Sequence, residues 1–148
     1  MFFDCFKPFY ILRLVRGEEI ISSLRFFVEK KKIPSGILWG IGAVKNAEIG
    51  YFDDKKKEYL KKKFKKSLEI LSLSGSISLI ENKPYIHLHC VLGDEKLKGF
   101  GGHLFSGITS ATAEIYIYTL KRKIYRKKDE EEPFFLLHLK KILKKEEL

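Results

Sequence analysis

The sequence predicts an α+β fold, a largely antiparallel sheet with one main helix packed on it, and three stretches carry that reading. Ile20, Ile21, Leu24, Phe27 and Val28 recur at helical spacing. Ile37 to Val44 (ILWGIGAV) is apolar nearly throughout, as a strand covered on both faces requires. Leu68 to Leu79 alternates Ser72, Ser74, Ser76 and Ser78 against Leu71, Leu73, Gly75, Ile77 and Leu79, the two-residue period of a strand.

In chain order, Tyr10 to Val15 opens as a strand. Gly17-Glu18-Glu19 then starts the helix, with two acids in the first turn to suit its positive end, and Lys30 to Lys32 suit its closing turn. Pro34-Ser35-Gly36 breaks it. After Ile37 to Val44, whose second face needs cover from this chain or from another subunit, strands are expected at Glu48 to Phe52, Glu58 to Phe64 and Leu68 to Leu79. Glu81 to Pro84 reads as a turn and Tyr85 to Leu92 as a strand. Gly93 to Gly102, with four glycines, reads as a flexible loop. Thr112 to Leu120 (TAEIYIYTL) is rich in β-formers, and Phe134 to Leu139 is a last strand or short helix.

A chain of 148 residues fits one domain, 1–148, with a core over about 10–139 and a lysine-rich tail at 140–148 that frays. Hydrophobic residues make up 45% and include 12 Phe, so a real core is available. No apolar run approaches the roughly 20 residues that span a bilayer, and the opening MFFDCFK lacks the pattern of a secretory signal. Cys5 and Cys90 are too few for a disulfide framework. A cytoplasmic protein with reduced thiols is the expectation.

The net charge of +10 is mostly lysine. Lys55, Lys56, Lys57, Lys61, Lys62, Lys63, Lys65 and Lys66 stand against Glu58 alone in KKKEYLKKKFKK. A second basic run, Lys121 to Lys128, is answered at once by Asp129 to Glu132. Such surfaces attract nucleic acid through phosphate neutralisation. They also suit a hyperthermophile-like composition, to which the absence of Gln and the presence of only Asn46 and Asn82 belong. Tyr51, Phe52, Tyr59 and Phe64 interleave with lysines and fit core or subunit contacts better than base-stacking platforms.

Three of the four histidines fall within 17 residues: His87 and His89 in YIHLHC, and His103 in GGHL. Alternation along a strand sends His87 and His89 out of one face. The double glycine before His103 can bend the backbone back toward them. Three neutral imidazoles at one point make a site for Zn²⁺ or a similar divalent metal with a fourth position open; spacing alone also allows a half-solvated strand face. Glu114, inside an otherwise apolar strand, is the candidate proton-transfer or supporting carboxylate, and Glu69 is similar. No phosphate-cradling loop, nucleotide fingerprint or Ser-His-Asp order is present, so the catalytic residues of any reaction stay unassigned.

GIGAV at Gly40 to Val44, IGYFD at Ile49 to Asp53, LEILSLSGSIS at Leu68 to Ser78, KPYIHLHCVL at Lys83 to Leu92, and GGHL with ATAEIYI between Gly101 and Ile117 occur in order. Together they make the chain resemble, from about Tyr10 to Leu139, the plant- and prokaryote-conserved (PPC) domain family, described also as a DNA-binding group. The resemblance implies an α+β antiparallel sheet and a homotrimer whose sheets cover one another. It implies metal ligation by His87, His89 and His103, and association with DNA. Plant members pair the domain with AT-hooks, but this chain has no Arg-Gly-Arg-Pro arm, so that mode does not carry over. Plant members also have Gly-Arg-Phe where this chain has Lys66-Ser67-Leu68, so their partner contacts do not carry over either. Two functions stand side by side: a trimeric, phosphate-directed DNA-associated protein, and a metal-dependent enzyme or small-molecule binder.

Overall fold

The computed structural model describes residues 1–140; most of the tail expected at 140–148 lies outside the described residues. The elements run β1 (Phe2–Phe6), β2 (Phe9–Val15), α1 (Ile20–Lys31), β3 (Ser35–Asp53), β4 (Glu58–Phe64), β5 (Leu68–Ile80), β6 (Lys83–Gly93), β7 (Gly99–Leu120), β8 (Arg126–Lys128) and β9 (Phe135–Leu137). The first seven strands form one sheet in the order β1-β2-β7-β6-β5-β3-β4. Every pairing in it is antiparallel. Because β7 also pairs with β3, the strands β3, β5, β6 and β7 close into a ring of pairings. Among the described residues the fold is therefore α+β and mostly antiparallel, with one helix, as the periodicities predict.

α1 buries Ile20, Leu24, Phe27 and Val28 and packs against β6 and β7. Each such side chain contributes roughly 1.5–3 kcal/mol relative to exposure. The acids before it do not sit in its first turn. Glu19 is the N-cap, its carboxylate accepting from the Ser22 amide at 2.7 Å. Glu18 lies outside the helix and accepts from the chain's own N-terminal amine and the Val15 amide. Lys32 closes the helix in the left-handed conformation.

Three boundaries differ from expectation. The opening residues form a hairpin, β1 with β2, that the sequence pattern does not announce. The segments at 37–44 and 48–52 are one strand, because β3 bends through bulges rather than stopping. Gly42, at φ +148°, takes one of these bends, and a Cβ there would collide with the Thr112 carbonyl oxygen. The glycine-rich stretch at 93–102 is mostly strand: only Asp94 to Lys98 turn the chain, and Gly99 to Gly102 already belong to β7. Phe134 to Leu139 contributes a short strand, β9, paired with β8.

Cross-strand partners share a face of the sheet. One row runs Asp4, Ile11, Tyr116, Trp39, Ser74, His89, His103; its neighbour runs Phe6, Phe9, Tyr118, Ile37, Ser76, His87. The apolar end of these rows is bare. Ile37 is 50% exposed, Trp39 42% and Phe6 62%, and the Trp39 ring stacks on Tyr116. Within this chain the strand at 37–44 is covered on one face, by the core, and its second face is the one for which the sequence expects cover from this chain or another subunit.

Candidate metal centre

The histidine end of the same rows forms the site. His87 and His89 project from one face of β6, and β6–β7 pairing sets His103 directly opposite His89. Register, not a glycine bend, brings the third ring in. Gly102 serves strand packing instead. A Cβ there would lie 2.6 Å from the Gly50 carbonyl oxygen, so its absence lets β3 approach β7. The three ring centroids are 5.0–5.3 Å apart. One nitrogen from each ring lies within 4.8 Å of the others. A tetrahedral ion with bonds of about 2.0–2.1 Å asks for nitrogens ~3.4 Å apart, within reach of small ring rotations.

The surroundings favour neutral imidazoles. Burial, then the Arg126 guanidinium and the other two rings, brings His87 down to about 4. Burial, then His89 and Lys61, brings His103 down to about 4. His103 lies between Phe105 and Tyr59, with centroids at 4.7 and 5.4 Å. Its Nδ1 is buried and, among the described residues, has no hydrogen-bond partner. A buried lone pair or N–H without a partner is costly, and a metal bond to that ring nitrogen would satisfy it. Both the donor set and this orphan atom fit a divalent ion of nitrogen preference.

Sequence patterning does not single out Arg126, yet it joins the site. Its Nε donates to Ser78 Oγ at 3.0 Å, Nη1 to the Phe135 carbonyl at 2.9 Å, and Nη2 to Ser76 Oγ at 3.3 Å. Nη2 also lies 3.1 Å from His87 Nδ1. A guanidinium has no lone pair to offer, so His87 Nδ1 is the acceptor. Nothing within the run KRKIYRKK marks this arginine; its partners come from β5, β6 and β9. The serine alternation beside the histidine strand is the one hint, since Ser76 and Ser78 supply two of them. A cleft of about 380 Å³ opens onto the triad, walled by Tyr59, Tyr85, Phe105, Arg126 and Pro133 to Leu136.

Neither candidate carboxylate reaches this cleft. Glu114 sits on β7 opposite Arg13 and Ile41, and Glu69 on β5 opposite Ala43 and Gly93. The long separation along β7 leaves Glu114 at the apolar end of the sheet, not beside His103. The lysine run occupies the β3–β4 turn, β4 and the two residues after it, and among the described residues half of it is answered by carboxylates. Lys57 pairs with Asp54 and Glu132, Lys61 and Lys63 with Glu48, and Lys66 with Glu95 at 2.6 Å and Asp94 at 3.7 Å. Lys62 lies over the Phe64 and Phe100 rings, and Lys61 over Phe105. No helix of the described residues is long and apolar enough to cross a membrane.

Residues 5–121 match the family model of the Plants and Prokaryotes Conserved (PCC) domain. A PPC protein of Pyrococcus horikoshii superposes with TM-score 0.84 at 37% identity, over 95% of this chain and 97% of that one. A metal-containing protein from Archaeoglobus fulgidus gives TM-score 0.84 at 38% identity, over 93% and 96%. A "putative DNA binding protein" from Bacteroides thetaiotaomicron gives 0.89 at 29%, over 92% and 95%. In sequence, 136 residues are 30% identical to the bifunctional protein GlmU of Synechococcus sp. (strain JA-3-3Ab), covering 90% of this chain and 21% of that protein. The chain thus spans about a fifth of the length of that curated relative.

Proposed function

We propose, because the chain belongs to the Plants and Prokaryotes Conserved domain family, that it is a metal-binding protein that works as a homotrimer and associates with DNA. The convergence of His87, His89 and His103 carries the first part. Zinc suits three imidazoles with an open fourth position. The metal-containing relative from Archaeoglobus fulgidus supports the same reading. Metal analysis of protein purified without a chelating tag should find one ion per chain. His89→Ala should lose it while the circular dichroism of the sheet is kept. Protein that takes up no zinc after dialysis against it refutes the assignment.

DNA association draws support from the likeness to the Bacteroides protein and from the charge of +10. No base-reading element stands out among the described residues, so binding is directed to the phosphate backbone and indifferent to sequence. Affinity for a short duplex should then fall by orders of magnitude between about 50 and 200 mM salt. A flat salt response would refute the phosphate-directed reading.

The cleft of about 380 Å³ beside the triad favours a second reading, a small-molecule binder or metal-dependent enzyme. A metal here would supply Lewis acidity and acidify a bound water to near neutral pH. Around it Tyr59, Tyr85 and Phe105 would exclude water from one side, while Arg126, whose Nη2 donates to the one lone pair of neutral His87, competes with a metal for that ring. Among the described residues no carboxylate lines the cleft to take up a proton, so binding is favoured over turnover.

A further inference from the structure

We infer that the DNA backbone is held not along Lys55 to Lys66 but in a basic groove at the end of the molecule where α1 stops, β1 turns into β2, and β7 exits. The inference rests on the reading of DNA association given above and names the surface responsible. Three clefts meet at this end. One, of about 240 Å³, is lined by Lys7, Lys31, Lys32 and Lys121 around Pro8 and Pro34. A second, of about 320 Å³, shares Lys32, Ile33 and Pro34 with the first and adds Lys123 and Glu29. The third, of about 560 Å³, shares Leu120 and Lys121 with the first and Lys123 with the second, and adds Arg122, His138 and Lys140. The shared residues place the three clefts side by side, so their cations line one basic surface.

Charge distinguishes this groove from the lysine run. Among the described residues Glu29 is the one carboxylate lining it, against seven lysines and arginines. Among the described residues none of those seven is in an ion pair, whereas Lys57, Lys61, Lys63 and Lys66 all are. A cation already facing a carboxylate has less to gain from a phosphate, because its counter-charge must be displaced or left repelling the ligand. The helix C-terminus accounts for part of the cluster, since Lys31 and Lys32 complement about half a negative charge there. It does not account for Lys7, Lys121, Arg122 or Lys123, which come from other elements.

The platform is also fixed. The Thr119 amide and Oγ1 both donate to the Pro8 carbonyl, at 2.9 and 3.0 Å, and Ser35 Oγ donates to the Arg122 carbonyl. These bonds tie the β1–β2 turn and the β7 exit together. The groove thus presents its cations with the backbone already ordered, which lowers the cost of binding a regular polyanion.

The test compares two triple variants by fluorescence anisotropy on a short labelled duplex of mixed sequence. Lys32→Glu/Lys121→Glu/Lys123→Glu should weaken binding at least about tenfold at low salt and reduce the slope of log affinity against log salt by about 3. Lys61→Glu/Lys62→Glu/Lys63→Glu should stay within about twofold of the parent chain. The milder set Lys32→Gln/Lys121→Gln/Lys123→Gln, with circular dichroism matching the parent, guards against misfolding and should show the same order. If the Lys61 set is the damaging one, or both sets weaken binding equally, the groove is refuted while DNA association stands. A parent chain that binds no duplex at low salt removes both.

Discussion

His87 and His103 face the same cleft, and each is held near 4 against about 6.5 for a free imidazole. Between those values the unfolded chain binds more protons than the folded one, so stability rises with pH across the window. Protein treated with a chelator should therefore lose stability as pH falls from about 6.5 to about 4, read as a falling urea midpoint. His87→Asn/His103→Asn should flatten that dependence. Arg126 acts on the same rings. Its donor occupies His87 Nδ1, and its charge repels any arriving cation. Arg126→Met should consequently tighten zinc about tenfold in a chelator competition; unchanged or weaker binding would show that Arg126 holds His87 in a ligating pose instead. The histidines are legible in the sequence because strand periodicity fixes the facing of an i, i+2 pair. Arg126 is not, since its importance lies in four partners from three other strands.

Among the elements, Gly75 on β5 stands opposite Leu88 on β6, and a Cβ there would overlap the His87 carbonyl oxygen. Gly75→Ala should force β6 outward at the metal ligand. The expected cost is about 1–3 kcal/mol in stability, together with a larger loss of zinc affinity than any surface substitution on β5 causes. Leu24→Ala, in the buried stripe of α1, should instead cost about 2–5 kcal/mol and leave the affinity of the folded protein for zinc unchanged. Denaturation and zinc titration together separate the two effects. Sequence and structure agree where one periodicity runs unbroken: β4 spans Glu58–Phe64 as expected, and α1 buries Ile20, Leu24, Phe27 and Val28. They part where glycines and Asn46 punctuate a long strand. Local turn chemistry argues for a stop there, but pairing with β7 carries β3 through its bulges. The loop expected at 93–102 fails for the same reason.

At the scale of the whole molecule, we propose the bare apolar ends of the cross-strand rows as the contact of the proposed trimer. Light scattering should give about three times the 17.3 kDa of one chain. Trp39→Glu, in the centre of that face, should shift the mass toward one chain without unfolding it, because Trp39 is 42% exposed and lies outside the core. A species of one chain for the parent protein would refute the assembly. The same rows lead to His87 and His89, so a subunit docked on the apolar end would stand beside the cleft. The ring of pairings has a further consequence, for synthesis. β3 has its longest pairing in β7, and α1 packs on both β6 and β7, so neither can complete the burial of its apolar residues until the chain has been made to about Leu120. At about 5–20 residues per second, the nascent chain carries an incompletely covered helix stripe for several seconds at the ribosome. Shielding by a chaperone during that interval should raise the yield of folded protein more than any change to its final stability.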